Sequence, residues 1–177
     1  MSRPGAPPVR VGRLDPRDAA RVAGLMREVI AAVPFYSDEA KRSETGKYAG
    51  DALREAAAAD PDAVLVAKSG DEVVGFCVSR PDDGLIWLSW FGVAPAWRGA
   101  GVADLLLARL EEATRARGIH KIWCDSRTSN LPSRRVLARA GFREICTVTN
   151  HWYGQDFVLL EKPLPRDAAP REPARPG

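Results

Sequence analysis

The sequence predicts a mixed α/β layer fold with the element order βααβββαβαββ. Three observations carry the prediction. Near the N-terminus, Val22, Leu25, Met26, Val29 and Val33 recur at helical spacing. After Asp60-Pro61 the period falls to two, and residues 63–68 and 72–79 read as a β-hairpin around Ser69-Gly70-Asp71. Beyond that point strand and helix patterns alternate to the end, as a layered α/β domain requires.

Each element follows from its residues. Residues 9–13 form a short first strand. Asp15-Pro16-Arg17-Asp18 opens the first helix: Asp15 can cap it, Pro16 suits its first turn and Asp18 complements its dipole. Pro34-Phe35-Tyr36-Ser37 breaks that helix, and a second helical stretch covers about 41–59. Residues 85–93 are apolar on both pleat faces, with Trp87, Phe91 and Val93 on one side and Ile86, Leu88 and Trp90 on the other. A strand of that kind belongs in the middle of a covered sheet. A helix over 101–117 carries the apolar residues Val102, Leu105, Leu106, Leu110 and Ala113 and stops at Gly118. A strand over 119–125, a helix over 131–140 and two strands over 142–153 and 156–160 complete the order.

Composition narrows the function classes. The 177 residues are 45% hydrophobic and 28% charged, the profile of one globular domain rather than a disordered chain. A domain of this size buries roughly 70% of its unfolded surface, so it needs no disulfide framework. The net charge of +3 is spread without long runs of one sign, which argues against a nucleic-acid partner. Cys77, Cys124 and Cys146 each sit in apolar runs without metal spacing and read as buried reduced thiols. With no long apolar run and no leader pattern, the chain is expected to be cytoplasmic, with no membrane and no metal. The domain is expected over 9–162, between a flexible tail at 1–8 and a Pro/Arg-rich tail at 163–177.

The segment richest in chemistry is Val93-Ala94-Pro95-Ala96-Trp97-Arg98-Gly99-Ala100-Gly101-Val102-Ala103. Here a buried strand runs into a glycine-bearing loop that opens an amphipathic helix. Gly99 and Gly101 let backbone N–H groups approach a ligand closely, and the first helical turn has unpaired N–H groups at its positive end. Such a loop is a phosphate or pyrophosphate site, or else simply a glycine-softened turn. A Walker loop is absent. A dinucleotide fingerprint would place Asp104 at its third glycine, where a carboxylate opposes pyrophosphate.

Arg98-Gly99-Ala100-Gly101-Val102-Ala103 is similar to the Arg/Gln-x-x-Gly-x-Gly/Ala motif of the GNAT N-acetyltransferase superfamily. Asn130-x-x-Ser133-x-x-x-Leu137-x-x-x-Gly141-Phe142 resembles that superfamily's second motif, at the right separation. The resemblance implies a GNAT-like fold: a mixed, mostly antiparallel central sheet with helices on both faces. It implies acetyl-CoA as co-substrate, with Arg98, Gly99, Ala100, Gly101, Val102 and Ala103 around its pyrophosphate. Pantetheine would run along Phe91, Gly92 and Val93, with Asn130 and Ser133 beside it. Arg134 and Arg135 are further partners for its phosphates, or residues of a solvated helix face.

The resemblance also implies direct attack of an amine on the thioester. At pH 7 deprotonating a lysine amine costs roughly 4–5 kcal/mol, against about 1 for an α-amine. A lysine acceptor would therefore want a positioned base. The glutamate common on the family's central strand is absent from 85–93, where Ser89 is the polar side chain besides the Trp indoles. The family's usual tyrosine acid is here Leu137. The acceptor is thus expected to be a low-pKa amine, or base and acid come from elsewhere. Ser133, Tyr153 and His151 are the candidate catalytic residues. Asp125 could act through water or cap a turn, and His120 reads as solvated. Tyr36, Trp87, Ser89 and Trp152, with Phe35 nearby, are the candidate walls for an apolar or aromatic acceptor. The expected activity is acetyl transfer to a primary amine of a small molecule or a peptide or protein N-terminus, by a monomer or homodimer. The alternative is a non-catalytic acyl-CoA-binding or regulatory module on the same fold.

Overall fold

The computed structural model describes residues 6–164. One seven-stranded sheet runs through it in the order β1-β2-β3-β4-β5-β7-β6. The strands are β1 (Val9–Arg13), β2 (Val64–Ser69), β3 (Glu72–Asp82), β4 (Leu85–Val93), β5 (Lys121–Arg127), β6 (Arg143–Val148) and β7 (Phe157–Pro163). Every neighbouring pair is antiparallel except β4–β5. The helices are α1 (Ala19–Ala31), α2 (Asp38–Lys47), α3 (Gly50–Ala59), α4 (Val102–Ala116) and α5 (Leu131–Arg139).

The sheet separates two cores. On one face, Val22, Met26 and Ile30 of α1 and Leu53 of α3 meet Val64, Val66, Phe76 and Val78. On the other, Val102, Leu106, Leu107 and Leu110 of α4 and Leu137 of α5 meet Leu65, Cys77, Ile86, Leu88, Ile122, Cys124 and Leu160. Burying a side chain of this kind contributes about 1.5–3 kcal/mol. Asp15 caps the entry to the first helix, its carboxylate accepting from the Arg17 N–H at 2.9 Å. Pro16–Asp18 form a 3₁₀ turn leading into α1.

The structure corrects four sequence expectations. The stretch over 41–59 is two helices broken at Tyr48-Ala49, with α2 starting earlier under the Ser37 cap. On one continuous helix Tyr48 and Leu53 would point about 140° apart, and the break lets both face the α1 core. In β4, Ser89 is a bulge: Trp90 pairs with Val78 while Leu88 pairs with Ser79. The extra residue flips the alternation. Ile86 and Leu88 therefore share the α4 face with Phe91 and Val93, whereas Trp90 faces α1. The strand expected over 142–153 ends at Val148, and its continuation is a turn plus a 3₁₀ turn at Trp152–Gly154. Finally, Cys77 and Cys124 are buried but Cys146 is exposed, because the edge strand β6 is covered on neither face. Burial pushes the Cys77 thiol up to about 12.

At the chain ends, the Pro7 carbonyl accepts a 2.7 Å bond from the Ser69 hydroxyl, and Leu164 is buried. The rest of the expected tails, residues 1–5 and 165–177, lies outside the described residues. Among the described residues no helix is long and apolar enough to cross a membrane, and no cluster of three or more His, Cys, Asp or Glu could hold a metal.

Gly92 shows how tightly β4 sits on the α1 face. A Cβ there would stand 2.5 Å from the Phe76 ring, a buried side chain with no room to move. Gly92→Ala is expected to lower stability by about 1–3 kcal/mol, read as an earlier midpoint in urea unfolding with an unchanged slope.

Candidate functional site

The parallel strands β4 and β5 pair only at Ile86–Ile122 and Trp87–Trp123. Past Trp87 they diverge, so the β5-facing edge of β4 has no strand partner. The gap between them is a cleft of about 740 Å³, bounded by the C-terminal halves of both strands. Side-chain alternation sets what each face of the cleft presents. Ile122 and Cys124 of β5 pack on the α4 side, so Trp123, Asp125 and Arg127 project to the α1 side.

On the α4 side the loop after β4 forms the cleft mouth. Pro95–Trp97 is a 3₁₀ turn, anchored by the buried Trp97, whose indole N–H donates to Glu72 at 3.3 Å. Gly99 and Gly101 have φ of +78° and +79°, a region open chiefly to glycine. No atom lies within 4 Å of where a Cβ of either would be. The N–H groups of Gly99, Gly101, Val102, Ala103 and Asp104 have no acceptor among the described residues. These donors, gathered at the positive end of a 15-residue helix, fit an anionic ligand. The Asp104 carboxylate is drawn to Arg139 of α5 at 3.2 Å, which offsets its charge. Arg98 is exposed beside the loop. Arg134 is committed to Glu144, to which its Nη2 lies at 2.7 Å, and to the Thr128 carbonyl.

Asn130 caps α5, its side-chain oxygen accepting from the Ser133 N–H at 3.3 Å. Both side chains line the cleft, so capping and ligand contact are compatible there. Leu137 is fully buried in the α4 core and fills space where a phenol would need a partner.

The α1 side of the cleft is aromatic. Tyr36 meets Trp90 edge-on with ring centroids 5.9 Å apart, and Trp87 lies under the Arg80 guanidinium at 5.9 Å. Tyr48 and the bulged Ser89 also line this side. Glu44 reaches in from α2, accepting 2.9 Å from the Trp90 indole N–H and pairing with Lys47 at 2.8 Å. Burial pushes the Asp125 carboxyl above the usual carboxylate range, opposed by the nearby Trp152 and His151. Burial also raises the Tyr36 phenol and lowers the Arg127 guanidinium.

Residues 25–142 match the family model described as "Acetyltransferase (GNAT) family". The chain belongs to the GNAT family. An acetyltransferase of Pectobacterium atrosepticum is 39% identical over 71 residues, covering 40% of this chain and 50% of that relative. The chain thus spans about half the length of that curated relative. The PaiA N-acetyltransferase of Thermoplasma acidophilum, solved in complex with coenzyme A, superposes with a TM-score of 0.75 at 19% identity, over 88% of this chain and 99% of that one. YncA of Salmonella typhimurium, solved with acetyl-CoA, gives 0.69 at 22% identity, over 92% and 97%. At such identities the likeness establishes the GNAT fold, with its mixed, mostly antiparallel sheet between two helical layers.

In this GNAT chain, most residues singled out from the sequence converge on the cleft: Phe91, Gly92, Val93, Arg98, Gly99, Gly101, Val102, Ala103, Asn130 and Ser133 of those expected to meet a cofactor, and Tyr36, Trp87, Ser89, Trp152 and Tyr153 of those expected to meet an acceptor or take part in catalysis. Ala100 and His151 are not among its lining residues. His151 is exposed and meets Trp152 at a tilt and Phe157 edge-on, with centroids 4.5 and 5.8 Å away. Tyr153 sits in the left-handed region at φ 56° and ψ 32°, an unusual conformation that turns its phenol to the cleft. Sequence reasoning missed Glu44 and Arg127. Glu44 sits in a polar helix of ordinary surface composition, and Arg127 at a strand end looks like any solvated arginine. Only their burial in the folded chain distinguishes them.

Proposed function

We propose that this protein is an N-acetyltransferase that moves the acetyl group of acetyl-CoA directly to a primary amine of a small molecule or of a peptide or protein N-terminus. The single observation that carries the reading is the set of unpartnered loop amides from Gly99 to Asp104 at the mouth of the cleft where β4 and β5 separate. The residues fit the co-substrate: the amides hold its pyrophosphate, and the unpaired edge of β4 at Phe91, Gly92 and Val93 hydrogen-bonds its pantetheine arm like an added strand. Asn130 and Ser133 border the same arm. When bound, acetyl-CoA supplies a thioester that an amine nitrogen can attack, with C–N bond formation and C–S cleavage.

The chain's own groups then handle the protons. Asp125, held above its ordinary pKa by burial, accepts a proton from the attacking amine. Tyr153, with Ser133 across the cleft, offers a hydroxyl proton to the departing sulfur. His151 acts from outside the cleft, through its proximity to Asp125. The aromatic wall of Tyr36, Trp87, Trp90 and Trp152 excludes water and receives an apolar part of the acceptor. We take residues 9–162, extended by Pro163 of β7 and the buried Leu164, as the single catalytic domain.

Thermal unfolding with acetyl-CoA, and with NADH as control, tests the reading. At 100 times its Kd a specific ligand contributes roughly 2.7 kcal/mol, or about 3 °C for a domain of this size. The expected result is a rise in Tm with acetyl-CoA alone. No rise, or the same rise with NADH, overturns it.

A further inference from the structure

At the acceptor end one guanidinium makes no ion pair with a carboxylate of the described residues. Arg127 is 3% exposed and lines the cleft. Its guanidinium carbon lies 3.5 Å from the centre of the Tyr36 ring and 5.1 Å from that of Phe157. Its Nε donates to the Gln155 side chain, whose amide in turn donates to the Phe35 carbonyl at 3.0 Å. This link holds the guanidinium plane rigidly against Tyr36. Among the described residues the buried Nη1 has no acceptor, nor does Nη2, and no carboxylate forms an ion pair with the group. A buried cation left this way is unfavourable unless something completes its hydrogen bonds.

Its neighbour on the strand makes the unsatisfied guanidinium informative. Asp125 and Arg127 are two residues apart on β5 and project from the same face, about 7 Å apart along the strand. They do not pair with each other. A molecule bearing an ammonium and a carboxylate would bridge them, the nitrogen at Asp125 and the carboxylate at Arg127. The coenzyme's phosphates do not supply this anion, because the loop amides lie on the α4 side of the sheet and Arg127 on the α1 side. A single guanidinium stacked on a ring, with Asp125 and Glu44 close by, suits a monoanion better than a phosphate dianion.

Resting on the acetyltransferase reading above, we infer that Arg127 receives a carboxylate of the acceptor, so that the acceptor is a free amino acid or related amino-carboxylate rather than a plain amine or a peptide N-terminus. The carboxylate of such a molecule holds its own ammonium protonated more firmly than a peptide N-terminus is held, so the acceptor needs the base that Asp125 supplies in the reading above.

The test compares each of the common amino acids with its carboxamide and its decarboxylated amine, measuring thiol release from acetyl-CoA by the full chain. For the amino acids turned over, kcat/KM expressed per unprotonated amine is expected to exceed that of the matched amide by about 10–100-fold, the worth of a charge-assisted hydrogen bond. In Arg127→Gln the acid-to-amide ratio should collapse towards one, and in Arg127→Lys it should fall part of the way. Calorimetric titration with acetyl-CoA shows that each variant is folded. If neither variant folds, the wild-type ratio alone decides. Equal or better turnover of amides or amines overturns the inference, as does a ratio that survives in a folded Arg127→Gln variant. So does a wild-type protein that binds acetyl-CoA but acetylates no amino acid. A wild-type protein that fails to bind acetyl-CoA removes the acetyltransferase reading itself.

Discussion

Gly101→Glu is expected to weaken acetyl-CoA binding by about 100-fold or more, read by calorimetric titration, while leaving the protein folded. Gly101 sits at φ +79°, where a side chain costs on the order of 1–2 kcal/mol, so Tm should fall by a few degrees. No neighbour lies within 4 Å of the new Cβ, and the side chain has room. The loss of affinity has a different origin. A carboxylate at this position lies among the amides that would otherwise meet the pyrophosphate, and each lost charge-assisted bond is worth about 1.5–3 kcal/mol. Gly101→Ala separates the two effects, since it carries the same backbone strain without the charge. Binding should be weakened far less in the alanine variant. Unchanged affinity in Gly101→Glu would show that the loop is a turn and nothing more.

Asp125→Asn is expected to lower kcat at neutral pH by about 10²–10⁴-fold, the range for loss of a positioned base, with little change in acetyl-CoA affinity. The pH profile makes the assignment specific. Asp125 must be ionised to accept a proton, and burial raises its pKa. The ratio of wild-type to variant rate should therefore fall towards one as pH drops through that raised value. Stability moves the other way. A carboxyl whose folded pKa lies above its unfolded value is favoured by folding when protonated, and that contribution is lost as pH rises through the interval between the two. The ionised form of Asp125 bears a desolvation cost that asparagine does not. The variant should unfold at a higher temperature at pH 7, a difference that shrinks on acidification. A variant with undiminished kcat would return the proton-accepting role to another group, with Glu44 next in position.

Local signals determined much of this protein before any folding was considered. The change of period at Asp60-Pro61, the doubly apolar run from Leu85 to Val93 and the stop at Gly118 place elements in order, because each depends on neighbours within a few residues. The loop from Arg98 to Ala103 is equally legible, since the backbone freedom of two glycines and the open amides of a first helical turn are local properties. The tertiary structure decided the rest. Whether Ser89 is a pleat position or a bulge depends on the register of β3, and that one residue reassigns every side chain beyond it. The cleft exists because β4 and β5 stop pairing after Trp87. Glu44 became a site residue because the break at Tyr48-Ala49 let α2 swing its carboxylate to Trp90. The polarity of an acceptor pocket is written in burial, and burial is a sum over residues far apart in the chain. For that reason Arg127, an ordinary charge in the sequence, and Asp125, which the sequence leaves between a turn cap and a water-mediated role, acquired their meaning only when the sheet closed around them.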